Sequence, residues 1–170
     1  RRDAGLETAL KTVAPGLAPI DLGRPWLLPL QPWLAQLPPS AGSVVEALNA
    51  LAGCAHPRFA AQSELPGGTP YETHIAATRR VPTRENLHDL FNGLIWLRHP
   101  ALKWRMNALQ DRALRRQEGG GGRRGPLRDA LTLFDENGAC WQDPDPQLLQ
   151  AWRQRDWIAL FVTHRDRWVD

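Results

Sequence analysis

Cysteine is nearly absent from this sequence: Cys54 and Cys140 stand far apart and neither belongs to a CxxC pair. Two such residues cannot build a disulfide scaffold, nor can this chain alone furnish a thiolate zinc site. A reducing, cytoplasmic setting is therefore expected. No apolar run approaches the ~20 residues that cross a bilayer, so no transmembrane segment is expected. The opening RRDAGLETAL is too poor in apolar residues for a signal-peptide core. It also lacks an initiator Met, which fits a trimmed chain. The short motifs of well-known chemistries are missing too. HExxH, the P-loop, GxSxG, GxGxxG and zinc-finger spacings do not occur, so no reaction class can be read from a motif.

What is present is an ordinary globular composition, with 42% hydrophobic and 23% charged residues over 170 positions. That length fits one domain with a real core. Eight tryptophans are many for this size, and their spread along the chain suits core and clamp roles better than one binding strip. The net charge of +3 conceals an asymmetry. Between Arg98 and Arg128 nine Lys/Arg face two acids, a local excess of seven, so the rest of the chain carries −4. Such a block can attract polyanions, although a solvated helix face is the plainer explanation.

The fold class expected is mainly helical α+β, with all-α as the alternative. Residues 1–42 read as a Pro/Trp-rich arm packed on the body, with Trp26 and Trp33 as anchors, because its prolines forbid a long helix. Residues 43–170 read as the core. Ser43 and Glu46 form a capping box for a helix running to Gly53. Tyr71–Thr78 reads as a short helix. Thr83 is the expected N-cap of a helix from Arg84 to Arg98, whose Leu87, Leu90, Phe91, Leu94 and Leu97 make a helical stripe. Gly93 and Trp96 lie toward its other side, so this helix should be packed on more than one face. His99-Pro100 marks a corner, with Pro100 opening the next helix. Leu102, Met106, Leu109 and Ala113 carry the expected stripe of that helix, which runs into a flexible Gly/Arg loop at 117–125. The alternation in ALTLFDENGACW reads as a β-hairpin with Gly138 at positive φ. Leu127, Ala130, Leu131 and Phe134 keep a helical reading of 126–134 open. Asp145-Pro146 starts a further helix.

Candidate chemistry gathers in two segments, VPTRENLHDLFN and RGPLRDALTLFDENG. Arg84, His88 and Asn92 are spaced i, i+4, i+8, and Asp89 projects toward the side of Trp96. Lys103 and Asn107, four apart on the following helix, could face His88 and Asn92 across the corner. Arg128 and Asp129 are not needed for a turn. These side chains could bind a divalent metal through oxygens and an imidazole, with His88, Asp89 and Asp129 as candidate ligands, or an anion through Lys and Arg. A satisfied polar network that only fixes helix packing accounts for the same residues. His56, His74, His99 and His164 have no grouped spacing and read as cap, surface or core residues.

These two segments, with YETHIA and the intervening Lys103 and Asn107, resemble a proteobacterial family of domains of unknown function. The resemblance covers about residues 56–168. It implies that Tyr71, Glu72, Pro82, Thr83, Arg84, His88, Asp89, Asn92, Trp96, Lys103, Asn107, Arg128, Asp129, Asp135 and Glu136 fall on motif positions, and it brings no activity with it. It also implies a further segment, with a His and a Pro, beyond Asp170. Leu87 and Gly93 depart from its pattern, where a larger aromatic and an Ala are usual.

The function expected first is a metal-assisted hydrolase or another enzyme acting on an anionic small molecule. His88, Asp89 and Asp129 would be catalytic, and Arg84, Asn92, Lys103, Asn107 and Arg128 would bind substrate. The alternatives are a nucleic-acid accessory protein using the 98–128 block and a structural protein without catalysis.

Overall fold

The computed structural model describes residues 10–38, 41–52, 57–117, 125–138 and 145–167. The architecture is mainly helical α+β. Two compact units divide the chain, Arg1–Leu131 and Thr132–Asp170.

In the first unit the arm opens with a two-residue antiparallel pair, β1 (Leu10–Lys11) with β2 (Ile20–Asp21). A 3-10 turn at Pro25–Leu30 and the short helix α1 (Gln31–Gln36) follow, in keeping with the proline density. The arm joins the main hydrophobic core through Val13, Ile20, Leu27, Leu34 and Leu37. The expected anchoring by Trp26 is corrected. Its ring is 69% exposed, while the aliphatic Leu27 beside it is buried. Trp33 packs partly buried against the core. Lys11 fastens the arm to itself, its Nζ donating to the carbonyls of Leu34 (2.6 Å) and Leu37 (2.9 Å) at the end of α1. The Leu34 carbonyl also accepts from the Leu37 amide, a long bond of 3.4 Å, and carbonyls at a helix C-terminus are short of amide donors, which is why a lysine is favoured there.

Helix α2 (Val44–Ala52) starts where the capping pattern placed it, with the Glu46 amide donating to Ser43 Oγ at 3.0 Å. Its N-terminus also receives Glu85, whose carboxylate accepts from the Val44 amide at 2.7 Å. Next comes a β–α–β unit that the sequence reading did not contain. Strand β3 (Arg58–Ala61) lies parallel to β4 (Arg80–Thr83), with Phe59 opposite Val81, and α3 (Tyr71–Thr78) connects them. The Asn49 side chain, on α2, donates to the Phe59 carbonyl and accepts from its amide, both at 2.9 Å. It thereby substitutes for a third strand at the β3 edge.

Helix α4 (Leu87–Arg98) starts three residues later than expected. Thr83 is not its cap: it ends β4, opposite Ala61, and its hydroxyl donates to the Val81 carbonyl. Asn86 takes that role, its side chain accepting from the Asp89 amide at 2.7 Å. Leu90, Leu94 and Leu97 are buried as the stripe required, and Leu87 and Phe91 partly so. Gly93 faces α2 so closely that a Cβ there would meet Leu48 Cδ1 at 2.3 Å. The helix is thus enclosed by α2, β4 and the next helix.

Helix α5 (Pro100–Gln117) begins at the proline corner and packs on α3 and α4. Its buried face is the expected one only in part: Met106 is buried and Leu109 and Ala113 are half-buried, but Leu102 is 40% exposed, and Lys103 and Asn107 point inward. The segment 126–137 is helix α6, so the hairpin expected there is corrected to the helical alternative. Pro126 stands at its first position, and Leu127, Leu131 and Phe134 keep i, i+4 and i, i+3 spacing. Gly138 is not among the positive-φ glycines, Gly16 and Gly68. It closes α6 through its amide on the Phe134 carbonyl at 2.8 Å, where a Cβ would stand 2.3 Å from that oxygen. The strand expected through Cys140 and Trp141, and most of the Gly/Arg loop, lie outside the described residues.

The second unit contains α7 (Pro146–Gln154), capped by Asp145 as the Asp-Pro pair indicated. A π-helical turn at Ala159–Thr163 brings Leu160 against Leu148 and Ala151 in a small core.

Candidate functional site

The first turn of α4 is organised around one carboxylate. Asp89 is buried, with 7% of its surface exposed. Its Oδ2 accepts from the Arg84 amide at 2.7 Å and from Arg84 Nε at 3.1 Å, and its Oδ1 accepts from Arg84 Nη2 at 3.0 Å. His88 Nδ1 lies 3.0 Å from the same Oδ1. Burial by itself would raise the Asp89 carboxyl. The hydrogen bonds from Arg84 and His88 outweigh it and hold the group below the ordinary carboxylate range. Arg84 is pushed the other way, upward, chiefly by its bond to Asp89. Arg84 therefore reaches the site differently from the spacing argument. It lies before the helix, in the β4–α4 connection, and Asp89 pulls it back over the N-terminal turn.

The two partners of Asp89 face solvent. The side chains of His88 and Arg84 are 78% and 59% exposed. A carboxylate that engages Nδ1 leaves Nε2 of the imidazole directed outward, which is the arrangement of a histidine held for proton transfer.

One turn further along, Asn92 accepts from Lys103 Nζ at 3.0 Å, so α4 and α5 do meet across the His99-Pro100 corner as the spacing indicated. Lys103 is 6% exposed, and its ammonium lies 5.5 Å from the Trp96 ring centroid. Trp96 packs edge-on against Trp104 with centroids 4.9 Å apart, and the Arg79 guanidinium covers Trp104 at 3.6 Å. Asn107, also buried, donates to the Glu72 carbonyl at 3.1 Å and so ties α5 to α3. Tyr71, at the start of α3, acts electrostatically on Arg84.

Arg84, His88 and Asp89 thus form one contact group, and Asn92 with Lys103 a second, one turn along α4. Asn107 stands one turn beyond Lys103 on α5. Arg128 and Asp129 occupy the first turn of α6, Arg128 half-buried and Asp129 exposed. Asp135 and Glu136 are exposed at the other end of that helix rather than in a turn. Among the described residues no three His, Cys, Asp or Glu side chains gather closely enough to hold a metal ion. The basic block is partly occupied internally: Arg98 donates to the Pro29 carbonyl, and Arg115 pairs with Asp111 at 2.9 Å. Arg123 and Arg124 lie outside the described residues. His74 is a buried core histidine and His99 is exposed at the corner, while His56 is not described.

Trp96 was not among the expected catalytic or binding residues, although it falls on a motif position and on the side toward which Asp89 projects, since seven residues on a helix return to the same face.

A mainly helical α+β chain with a buried carboxylate–histidine–arginine group is the class these observations define. Residues 57–170 match the family model described as Protein of unknown function (DUF3025), and the chain belongs to that family. No curated protein and no solved structure matches the chain. No helix among the described residues is long and apolar enough to cross a membrane.

Proposed function

We propose that the chain is an acid–base enzyme acting on an anionic small molecule in the cytoplasm. One observation carries the reading. A buried, low-pKa carboxylate, Asp89, holds an exposed imidazole, His88, and an exposed guanidinium, Arg84, side by side. His88 transfers the proton through its outward nitrogen. Asp89 orients the ring. Arg84 offers charge to the substrate, because one carboxylate cannot use all five of its N–H donors. In this reading Asn92, Lys103 and Asn107, joined to the site through the Asn92–Lys103 hydrogen bond, bind the substrate, with Arg128 assigned the same role and Asp129 a catalytic one from the first turn of α6. Two cysteines without a pairing pattern support the reducing compartment.

A metal centre is not part of this reading. Both Asp89 oxygens already accept hydrogen bonds, and the described residues offer no three-ligand group. Hydrolysis by an activated water is the reaction class preferred, since a general base and a cationic anchor suffice for it.

The test is turnover of a panel of aryl phosphate and aryl carboxylate esters carrying a second anionic group. Wild type should show saturable activity that His88→Ala abolishes while the unfolding free energy stays within about 1 kcal/mol of wild type, as expected for an exposed side chain. Activity that survives His88→Ala and Asp89→Asn would overturn the assignment. A structural reading has its own support in the Arg84 amide bond to Asp89, which fastens the β4–α4 connection. It predicts that both substitutions lower stability and neither touches any activity.

A further inference from the structure

One turn beyond Asn92, α4 holds a hydrogen-bond donor that finds no acceptor among the described residues. Trp96 is 2% exposed, and its Nε1 is buried with no acceptor among the described residues. An indole nitrogen can only donate, so no change of tautomer or rotation of a hydroxyl can relieve it. A buried unmade donor is costly, and native structures keep few of them.

The position of Trp96 shows what would satisfy it. Asp89 and Trp96 are seven residues apart and share one face of α4, with Asn92 between them. Along α4 exposure falls from His88, in solvent, through half-buried Asn92 to buried Trp96. Lys103 holds a buried ammonium over the face of the Trp96 ring, 5.5 Å from its centroid and 3.0 Å from Asn92 Oδ1. A neighbouring positive charge in a poorly hydrated setting favours an anionic acceptor over a neutral one.

We propose that Trp96 Nε1 and Lys103 Nζ together bind an oxyanion, the carboxylate or phosphate end of the ligand, while its reacting end lies at His88. This inference rests on the reading above for the position of the reacting end, and it adds Trp96 as a binding residue. The ligand is then an elongated molecule with an anionic group at one end, roughly two helical turns, ~11 Å, from the atom that exchanges a proton.

The probe is inorganic phosphate or acetate, titrated at constant ionic strength against the indole 15N–1H resonances of the full chain, with chloride as control. Eight tryptophans make total fluorescence ambiguous, so the Trp96 resonance is assigned by its loss in Trp96→Phe. If that variant does not fold, Trp104→Phe assigns it through the lost ring-current shift. The Trp96 indole proton should move downfield and saturate with at least one of the two anions, the one that binds tighter naming the ligand's end group. Lys103→Gln should raise the half-saturating concentration about tenfold or more. An indole proton indifferent to both anions, one that follows chloride equally, or a titration unchanged by Lys103→Gln overturns the proposal. His88→Ala should leave this titration in place. Loss of turnover in His88→Ala and the indole shift therefore fail independently.

Discussion

Asp89 accepts from one backbone amide and two side chains at the start of a helix, where negative charge is already favoured. Its folded-state pKa lies below the unfolded value, so its contribution is fully present above the unfolded pKa of about 4. That contribution is lost as pH falls through the lower, folded value. Asp89→Asn should therefore cost about 1–3 kcal/mol near neutral pH. The gap between the two proteins in urea melts should narrow on acidification below pH 4. The Arg84 pair contributes only part of this, because its guanidinium is largely solvated. Asn49 is a second residue with an outsized local role. Asn49→Ala removes both hydrogen bonds that close the β3 edge and leaves the Phe59 groups without them. A loss of about 1–3 kcal/mol is expected in thermal or urea unfolding.

Two elements behave differently from their sequence pattern, for different reasons. In α6 the run Ala130–Phe134 alternates as a strand does, but it also contains helical spacings, and Pro126 is well suited to a first turn. A five-residue alternation cannot decide between them, and a proline followed by good helix formers prevails. In α5 the stripe Leu102–Met106–Leu109 is sound by hydrophobicity, yet the helix turns Lys103 and Asn107 inward because Asn92 and the Glu72 carbonyl await them. Helix α4 kept its predicted stripe, since its leucines face a core supplied by three neighbours. Its glycine is the tight point. Gly93→Ala would add helix propensity worth about 1 kcal/mol, but it drives a methyl into a fully buried Leu48. Overpacking should win by about 1–3 kcal/mol net destabilisation. Leu48→Val in the same chain should recover part of that loss, so the double mutant in a thermal melt costs less than the sum of the two.

At the scale of the whole molecule, the chain falls into a larger unit with an extensive core and a smaller one built on Leu148, Ala151 and Leu160. Leu160 has no exposed surface and sits centrally in the smaller core. Leu160→Ala should cost about 2–5 kcal/mol, read by hydrogen exchange as lost protection in 146–163 with the α2 and α4 amides unchanged. Loss of protection throughout would show instead that the two units unfold together. Trp157 and Phe161 stack in parallel, centroids 6.3 Å apart, beside an edge-on Trp152. These tryptophans pack locally, whereas Trp96 and Trp104 in the first unit carry the cations of the candidate site.

The mainly helical class, the capped start of α2, the bounds of α3, the proline corner and the α4 stripe were all legible in the sequence. Each depends on contacts within a few residues, where period, cap and proline act directly on the backbone. The candidate residues were legible as a set for the same reason: polar side chains in unusual density need no fold to be noticed. Their arrangement was not. Asn86 replaced Thr83 as cap because β3 claimed Thr83 for a strand, and that pairing joins segments twenty-two positions apart. Arg84 came to the site through Asp89, outside the helix on which spacing placed it. Lys103 went inside because a partner on another helix was there to receive it. Long-range pairing of polar groups carries no periodicity, so only the tertiary structure could decide it. Two cysteines were too few for a disulfide scaffold or a thiolate zinc site from the start, and the fold then placed along one helix a carboxylate, an imidazole and an indole whose nitrogen has no acceptor among the described residues.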